Sequence, residues 1–166
     1  MEAVAETADY LKLTMEKPEW FFRQSGVIPY RWHQGQLQVL LVTTRRRRHW
    51  IIPKGIIEPD MSPAESAVNE AWEEAGLRGS LHRLAVGEYR YAKWGGMCTV
   101  QVFLFRVAQI EEDWPEAGIR WRQWLSVEEA AHRVREPEMG RILERLPWLV
   151  SQSDTEDNLL GTGETP

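Results

Sequence analysis

Residues 62–77, SPAESAVNEAWEEAGL, constrain the fold more than any other stretch of the chain. Ser62 is a preferred N-cap and Pro63 suits the first helical position. Glu65, three residues after the cap, completes a capping box, and Gly76 supplies a C-terminal stop. The spacing predicts a helix over 63–75. Ala64, Ala67, Val68, Ala71, Trp72 and Ala75 recur at helical intervals and give it one apolar face to bury. Glu70, Glu73 and Glu74 fall on a common face of their own, at steps of three and four. Like charges at those steps each cost a helix roughly 0.2–0.5 kcal/mol, and this helix carries no lysine or arginine to offset them. A solvated acidic face is the ordinary explanation. The other is a divalent cation. Oxygen ligands on a rigid helix, with room for water and phosphate, suit Mg²⁺ or Mn²⁺. No histidine or cysteine joins the cluster, so zinc is not expected.

The rest of the chain mixes strands with a few helices. "RQSGVIPYR" (23–31) and "LQVLLVTT" (37–44) read as strands joined by a turn at Gly35, and "HWIIPK" as a short strand ended by Pro53. Further strands are expected at "LAVGEYRYA", "CTVQVFLFRV" and "IRWRQWL", and helices at "SVEEAAHRVR" and "PEMGRILERLP". This pattern predicts an α/β or α+β fold with helices covering a mixed sheet.

At 166 residues the chain fits one domain, and 43% apolar with 27% charged residues is ordinary for a soluble globular protein. A weakly helical N-terminal extension over 1–20, a main domain over 21–149 and a disordered acidic tail over 150–166 are expected. Cys98 is the only cysteine, so no internal disulfide can form. The first ten residues lack the basic start and apolar run of a signal peptide, and no run approaches a membrane span. A cytoplasmic protein with no membrane partner is expected. The net charge of -5 belongs largely to the tail, whose four acids leave 21 acids against 20 bases elsewhere. The body is neutral but patchy, and patches steer ligands more than net charge does.

The acidic helix and the loop before it resemble the Nudix box, a glycine followed at fixed spacing by glutamate, then Arg-Glu-apolar-x-Glu-Glu-x-Gly-apolar. Gly55, Glu70, Ala71, Glu73, Glu74, Gly76 and Leu77 match in register. Similarity extends over roughly residues 22–146, through "RQSGVIPYR", "WIIPKG" and "EEDWPEAGIRWRQWLSVEEA". These flanks resemble the branch that hydrolyses diphosphoinositol polyphosphates and diadenosine polyphosphates. The resemblance implies an α/β/α sandwich with a metal-binding loop-helix-loop, and Mg²⁺- or Mn²⁺-dependent cleavage of a phosphate anhydride in a small polyphosphate. Carried over by position, Glu70 and Glu74 ligate metal with the Gly55 carbonyl. Glu73 is a further ligand or the base that activates water, so Glu70 and Glu73 are the catalytic candidates. Glu111, Glu112 or Glu116 are alternatives for the base.

Two positions depart from the pattern. Met61 stands where the box has its first glutamate, and Asn69 where it has arginine. Losing both charges together leaves no orphan charge behind. The departure keeps a second reading open: a catalytically weak Nudix-fold module that binds nucleotide or protein. The run Arg45, Arg46, Arg47, Arg48 is either a solvated loop or a phosphate-binding one, the latter implied by the resembling branch. Nucleic-acid contact, including RNA-end hydrolysis, rests on this run alone and is not the expectation. Arg23, Lys54, Lys93 and Arg122 are the other substrate-binding candidates, and Trp94 could stack a base.

Overall fold

Strands buried on both faces read as near-continuous apolar runs, and VLLV at 39–42 and VFLF at 102–105 do so because each lies inside a two-faced sheet. The computed structural model describes residues 17–161. A 3-10 turn, Glu19–Phe22, leads into β1, Arg23–His33. Then come β2, Gln36–Thr43; β3, Trp50–Ile51; β4, Lys54–Ile56; and helix α1, Pro63–Ala75. Two long strands follow, β5, Leu77–Lys93, and β6, Gly96–Ile110. The described chain ends with β7, Arg122–Ser126, and helices α2, Val127–Arg133, α3, Pro137–Glu144, and α4, Leu146–Gly161.

The strands form one mixed sheet ordered β3-β2-β1-β6-β5, with β4 added to β1 and β7 to β2. Only β1 and β6 run parallel among the described pairs. Alternate residues of each central strand enter opposite cores. Ile28, Tyr30, Leu41 and Leu104 pack with Met139 and Leu143 of α3. Their neighbours Val27, Leu40, Phe103 and Phe105 pack with Ala67, Ala71 and Ala75 of α1. The three alanines, all fully buried, let α1 lie close to the sheet. The result is the expected helix–sheet–helix sandwich.

Beside β6, β1 has two partners along its other edge. Its C-terminal half pairs with β2, while Gln24, Ser25 and Gly26 pair with Ile56, Gly55 and Lys54 of β4. This split brings the segment that precedes α1 to the end of the sheet.

Several expectations shift. "HWIIPK" is two strands, because Pro53 interrupts it and β4 restarts at Lys54. β5 begins at Leu77 rather than Leu84, crossing bulges near Arg78 and Leu81 to stay paired with β6. The tail expected to be disordered from 150 is helical through Gly161 in α4. Residues 1–16 of the expected extension and residues 162–166 of the tail lie outside the described residues.

Candidate active site

Helix α1 forms as its sequence dictates. Ser62 accepts from the Glu65 amide at 3.1 Å, and Glu65 accepts from the Ser62 amide at 2.9 Å. At the other end Gly76 takes a left-handed conformation, φ 66°. A side chain there would strike Arg122 and Trp114. Both ends are therefore fixed, and the three glutamates keep a fixed direction toward a cleft of about 900 Å³ beside β4.

Glu70 lies directly against the Gly55 backbone, where any side chain would overlap its carboxylate. Among the described residues no donor hydrogen-bonds Glu70. Burial, then the charges of Glu73 and Glu116, push its pKa up to about 7. Glu74 is buried and held on both oxygens: the Lys54 amide donates to one at 3.2 Å, and Arg120 donates to the other at 3.1 Å. Burial still outweighs Arg120 and raises the Glu74 pKa. Glu73 is exposed on the cleft wall.

Arg120 is the organising cation, and the sequence did not mark it as a site residue. Only 7% exposed, it also donates to Glu116 at 2.8 Å and to the Thr43 carbonyl at 2.8 Å. Glu116, an alternative base in the sequence, is thus committed to Arg120 and to Arg45 at 3.2 Å. Glu111 is held by Arg78 and Gln109, and neither it nor Glu112 lines the cleft. The signal that could have found Arg120 was the acidic surplus itself, since a buried carboxylate needs a cation from somewhere.

The opposite wall is basic. Arg45, Arg46, Arg48, Lys54 and Lys93 line the cleft. Arg45 is tied to Glu116, and Arg47 points away, stacked on Trp121 at 4.8 Å and bonded to the Gly118 carbonyl at 3.0 Å. Among the described residues the side chains of Arg46 and Arg48 have no partner. Lys54 donates to the Tyr91 hydroxyl at 2.8 Å, and burial lowers its pKa to about 8. Trp94, in the β5–β6 turn at φ 54°, also faces the cleft, with Lys93 over its ring at 4.3 Å and Phe21 at 4.6 Å.

Two expected substrate residues lie elsewhere. Arg23 is exposed and pairs with Glu19 at 3.6 Å. Arg122 stacks on Trp114 at 3.9 Å and donates to the carbonyls of Ala75, at 2.7 Å, and Glu111. It is a cation satisfying the carbonyl end of α1, where the helix dipole favours one. Trp114 donates to the Glu74 carbonyl at 3.0 Å and completes the same closure.

Met61 and Asn69, the two departures, touch. The Asn69 amide donates to Met61 Sδ at 3.8 Å. A neutral contact therefore replaces a charged one at the loop–helix junction.

Among the described residues no three His, Cys, Asp or Glu side chains already converge into a closed metal cage. The donor chemistry nevertheless fits a hard cation. Among the described residues Glu70 has no donor, its pKa and that of Glu74 are raised, and Gly55, without a side chain, lets the Glu70 carboxylate lie against its backbone. Such a site would take its remaining ligands from water and phosphate.

The NUDIX domain family model matches residues 22–146. The chain belongs to the Nudix family and is a hydrolase of pyrophosphate bonds. It is 35% identical to Nudix hydrolase 12, mitochondrial, of Arabidopsis thaliana, over 72% of this chain and 70% of that protein. It is 31% identical to human diphosphoinositol polyphosphate phosphohydrolase 3-alpha, over 78% of this chain and 80% of that protein. Its fold matches that of the C. elegans Ap4A hydrolase with a TM-score of 0.65 at 23% identity, over 77% and 97% of the two chains. Nudix hydrolases generally require divalent metal ions. Among the described residues no helix is long and apolar enough to cross a membrane.

Proposed function

We propose that the protein is an Mg²⁺- or Mn²⁺-dependent pyrophosphohydrolase of a small, highly phosphorylated molecule, a dinucleoside polyphosphate or a diphosphoinositol polyphosphate. The observation that carries this is the polarity of one cleft. Carboxylates short of counter-charge form one wall, and Arg46, Arg48, Lys54 and Lys93 form the other. A polyphosphate bridging a hard cation and a row of cations matches both walls. Relatives named for diphosphoinositol polyphosphates, and the fold shared with an Ap4A hydrolase, support the substrate class.

Glu70, Glu74 and the Gly55 carbonyl would hold the metal. When bound, it would clamp phosphate oxygens and lower the pKa of water. Arg120 and the Lys54 amide keep Glu74 pointed inward. Among the described residues Glu73, unlike Glu116 and Glu111, is uncommitted, which supports it as the acceptor of the attacking water's proton. Arg46 and Arg48 reach for the outer phosphates through bidentate hydrogen bonds.

A panel of dinucleoside polyphosphates, diphosphoinositol polyphosphates and ADP-ribose, with Mg²⁺ or Mn²⁺, tests this through released phosphate and nucleotide. Turnover of a many-phosphate substrate well above ADP-ribose is expected. No turnover of any substrate, with nucleotide binding intact, would favour the binding module suggested by Met61 and Asn69.

A further inference from the structure

A lysine ammonium deep in a cleft needs acceptors for three donors. Lys54 has one, the Tyr91 hydroxyl at 2.8 Å, and no carboxylate within salt-bridge distance among the described residues. Glu74 accepts from the Lys54 backbone amide and not from the ammonium. The ammonium is thus held at one point, with its other donors open on the cleft.

The holding point has a direction. A phenol has one proton, and Tyr91 gives it to Gln24 Oε1 at 2.8 Å. Its oxygen lone pair is then left facing Lys54. Gln24 in turn has its amide nitrogen 4.0 Å from Cys98 Sγ, the side on which it donates. The sheet builds this row. Tyr91 pairs with Cys98 across β5 and β6, and Gln24 lies on β1 beside Val100, in register with Ile56 of β4. Lys54 pairs with Gly26, two residues along β1 from Gln24, so both side chains leave the same face of the sheet. Gly55, the next residue, faces the other way, where Glu70 lies against it. One dipeptide therefore serves both walls of the cleft. The ring of Tyr91 also lies under the ammonium, 4.4 Å from its centroid, so ring and hydroxyl both fix it.

We infer that Tyr91 and Gln24 are positioning residues that hold the Lys54 ammonium as a fixed clamp for a phosphate oxygen, opposite the glutamate wall. The inference rests on the polyphosphate-hydrolase reading of this cleft. Tyr91 and Gln24 touch no substrate in this scheme. They act only through Lys54, and that makes them separable from residues of general structural value.

The test is a double-mutant cycle on binding of inorganic tripolyphosphate, followed by calorimetry on the full chain without added metal. Lys54→Met should weaken binding about tenfold, as expected for loss of a charge-assisted hydrogen bond to phosphate. Tyr91→Phe keeps the ring and removes the hydroxyl, and should weaken binding about threefold to fivefold with Lys54 present. In the Lys54→Met background it should have no effect, because there is nothing left to position. Gln24→Leu should follow the same pattern, and it carries the test if Tyr91→Phe does not fold, as judged by its melting transition. An equal effect of either variant in both backgrounds, or no effect in the wild-type background, would overturn the inference. A wild-type protein that neither binds tripolyphosphate nor turns over any member of the substrate panel would overturn the functional reading first, and this inference with it.

Discussion

The two walls of the cleft carry opposite charge and are built in opposite ways. The acidic wall stands on a helix capped at both ends, runs from the buried Glu74 through the half-buried Glu70 to the exposed Glu73, and relies on one buried guanidinium, Arg120. The basic wall stands largely on an exposed loop after β2, stitched by local bonds to Thr44 and, from Arg45 and Arg47, by exposed contacts to Glu116 and the Gly118 carbonyl. The difference is one of dielectric. Charge in a desolvated, rigid place shifts pKa values and destabilises until a ligand arrives. Charge on an exposed loop costs little and acts at a distance, where salt screens it. The acidic wall should therefore respond to pH, metal and loss of its counter-ion, and the basic wall to ionic strength and substrate charge.

The largest effect should come from removing the counter-ion. Arg120→Met leaves Glu74 buried without its cation and Glu116 with Arg45 alone, and breaking a buried pair from one side costs about 3–5 kcal/mol. Thermal unfolding should show a fall in Tm of many degrees. Alanine at the basic loop's Arg46 should leave Tm within error. Comparable losses from the two substitutions would erase the distinction between the walls.

That asymmetry also explains what could be read from the sequence. Helix α1 was legible to the residue, because caps and periodicity are local signals. So were the central strands, whose apolar runs announce burial on both faces. Arg120 was not, because its partner Glu74 is 46 residues away in sequence and only the fold brings them together. Arg122, expected at the substrate, lies away from the cleft for the same reason. Nothing local says that it will cap a helix ending at Ala75. The common direction of the three glutamates was legible because they share one helix, whereas the split of the Arg run into tied and free members depends on contacts with residues 116–121.

The second effect is in pH. Glu70 has its folded pKa raised from 4.5 to about 7, so the folded protein holds that proton more tightly than the unfolded chain. Its contribution to stability is fully present below about 4.5 and is lost as pH rises through about 7. Glu74 shifts in the same direction, to about 8, where Lys54, lowered by burial to about 8, titrates beside it. Without metal, Tm should fall as pH is raised across that interval. Saturating Mg²⁺ or Mn²⁺ should flatten the fall, adding about 2.7 kcal/mol at a hundredfold excess over Kd. Glu70→Gln with Glu74→Gln should abolish both the slope and the metal effect while leaving the protein folded. Equal stabilisation of both proteins by metal would place the ion elsewhere.

A smaller effect belongs to the basic wall. Among the described residues Arg46 and Arg48 have free guanidiniums, whereas Arg45 and Arg47 are spent on Glu116, Gly118 and Trp121. Alanine at 46 and 48 should raise KM for many-phosphate substrates by about tenfold per lost phosphate contact, and much less for ADP-ribose. Added salt should shrink the gap between variant and wild type. Alanine at 47 should instead loosen the loop and affect all substrates alike. A uniform, salt-independent effect of all three would return the loop to a solvated turn.

The finest comparison lies at the hinge between the loop and the acidic helix, where Met61 and Asn69 stand in for the charged pair of the family pattern. Their side chains meet at 3.8 Å, so any change at one is felt at the other. Met61→Glu alone adds a seventh carboxylate to residues 55–77, which already hold six. Asn69→Arg alone puts an unpaired cation one residue from Glu70, where it would compete with metal. Each should lower kcat/KM at saturating Mg²⁺. Together the new charges can pair across the same short gap, so the double variant should recover activity, with a coupling of about 0.5–1 kcal/mol, at the low end for contacting residues. The coupling should survive moderate salt if the pair is shielded by the loop and fade if it is solvent-exposed. Strict additivity would mean that the two side chains separate in solution. In that case the neutral contact does not set the position of Glu70, and the direction of the glutamate face depends on Gly55 and Arg120 alone.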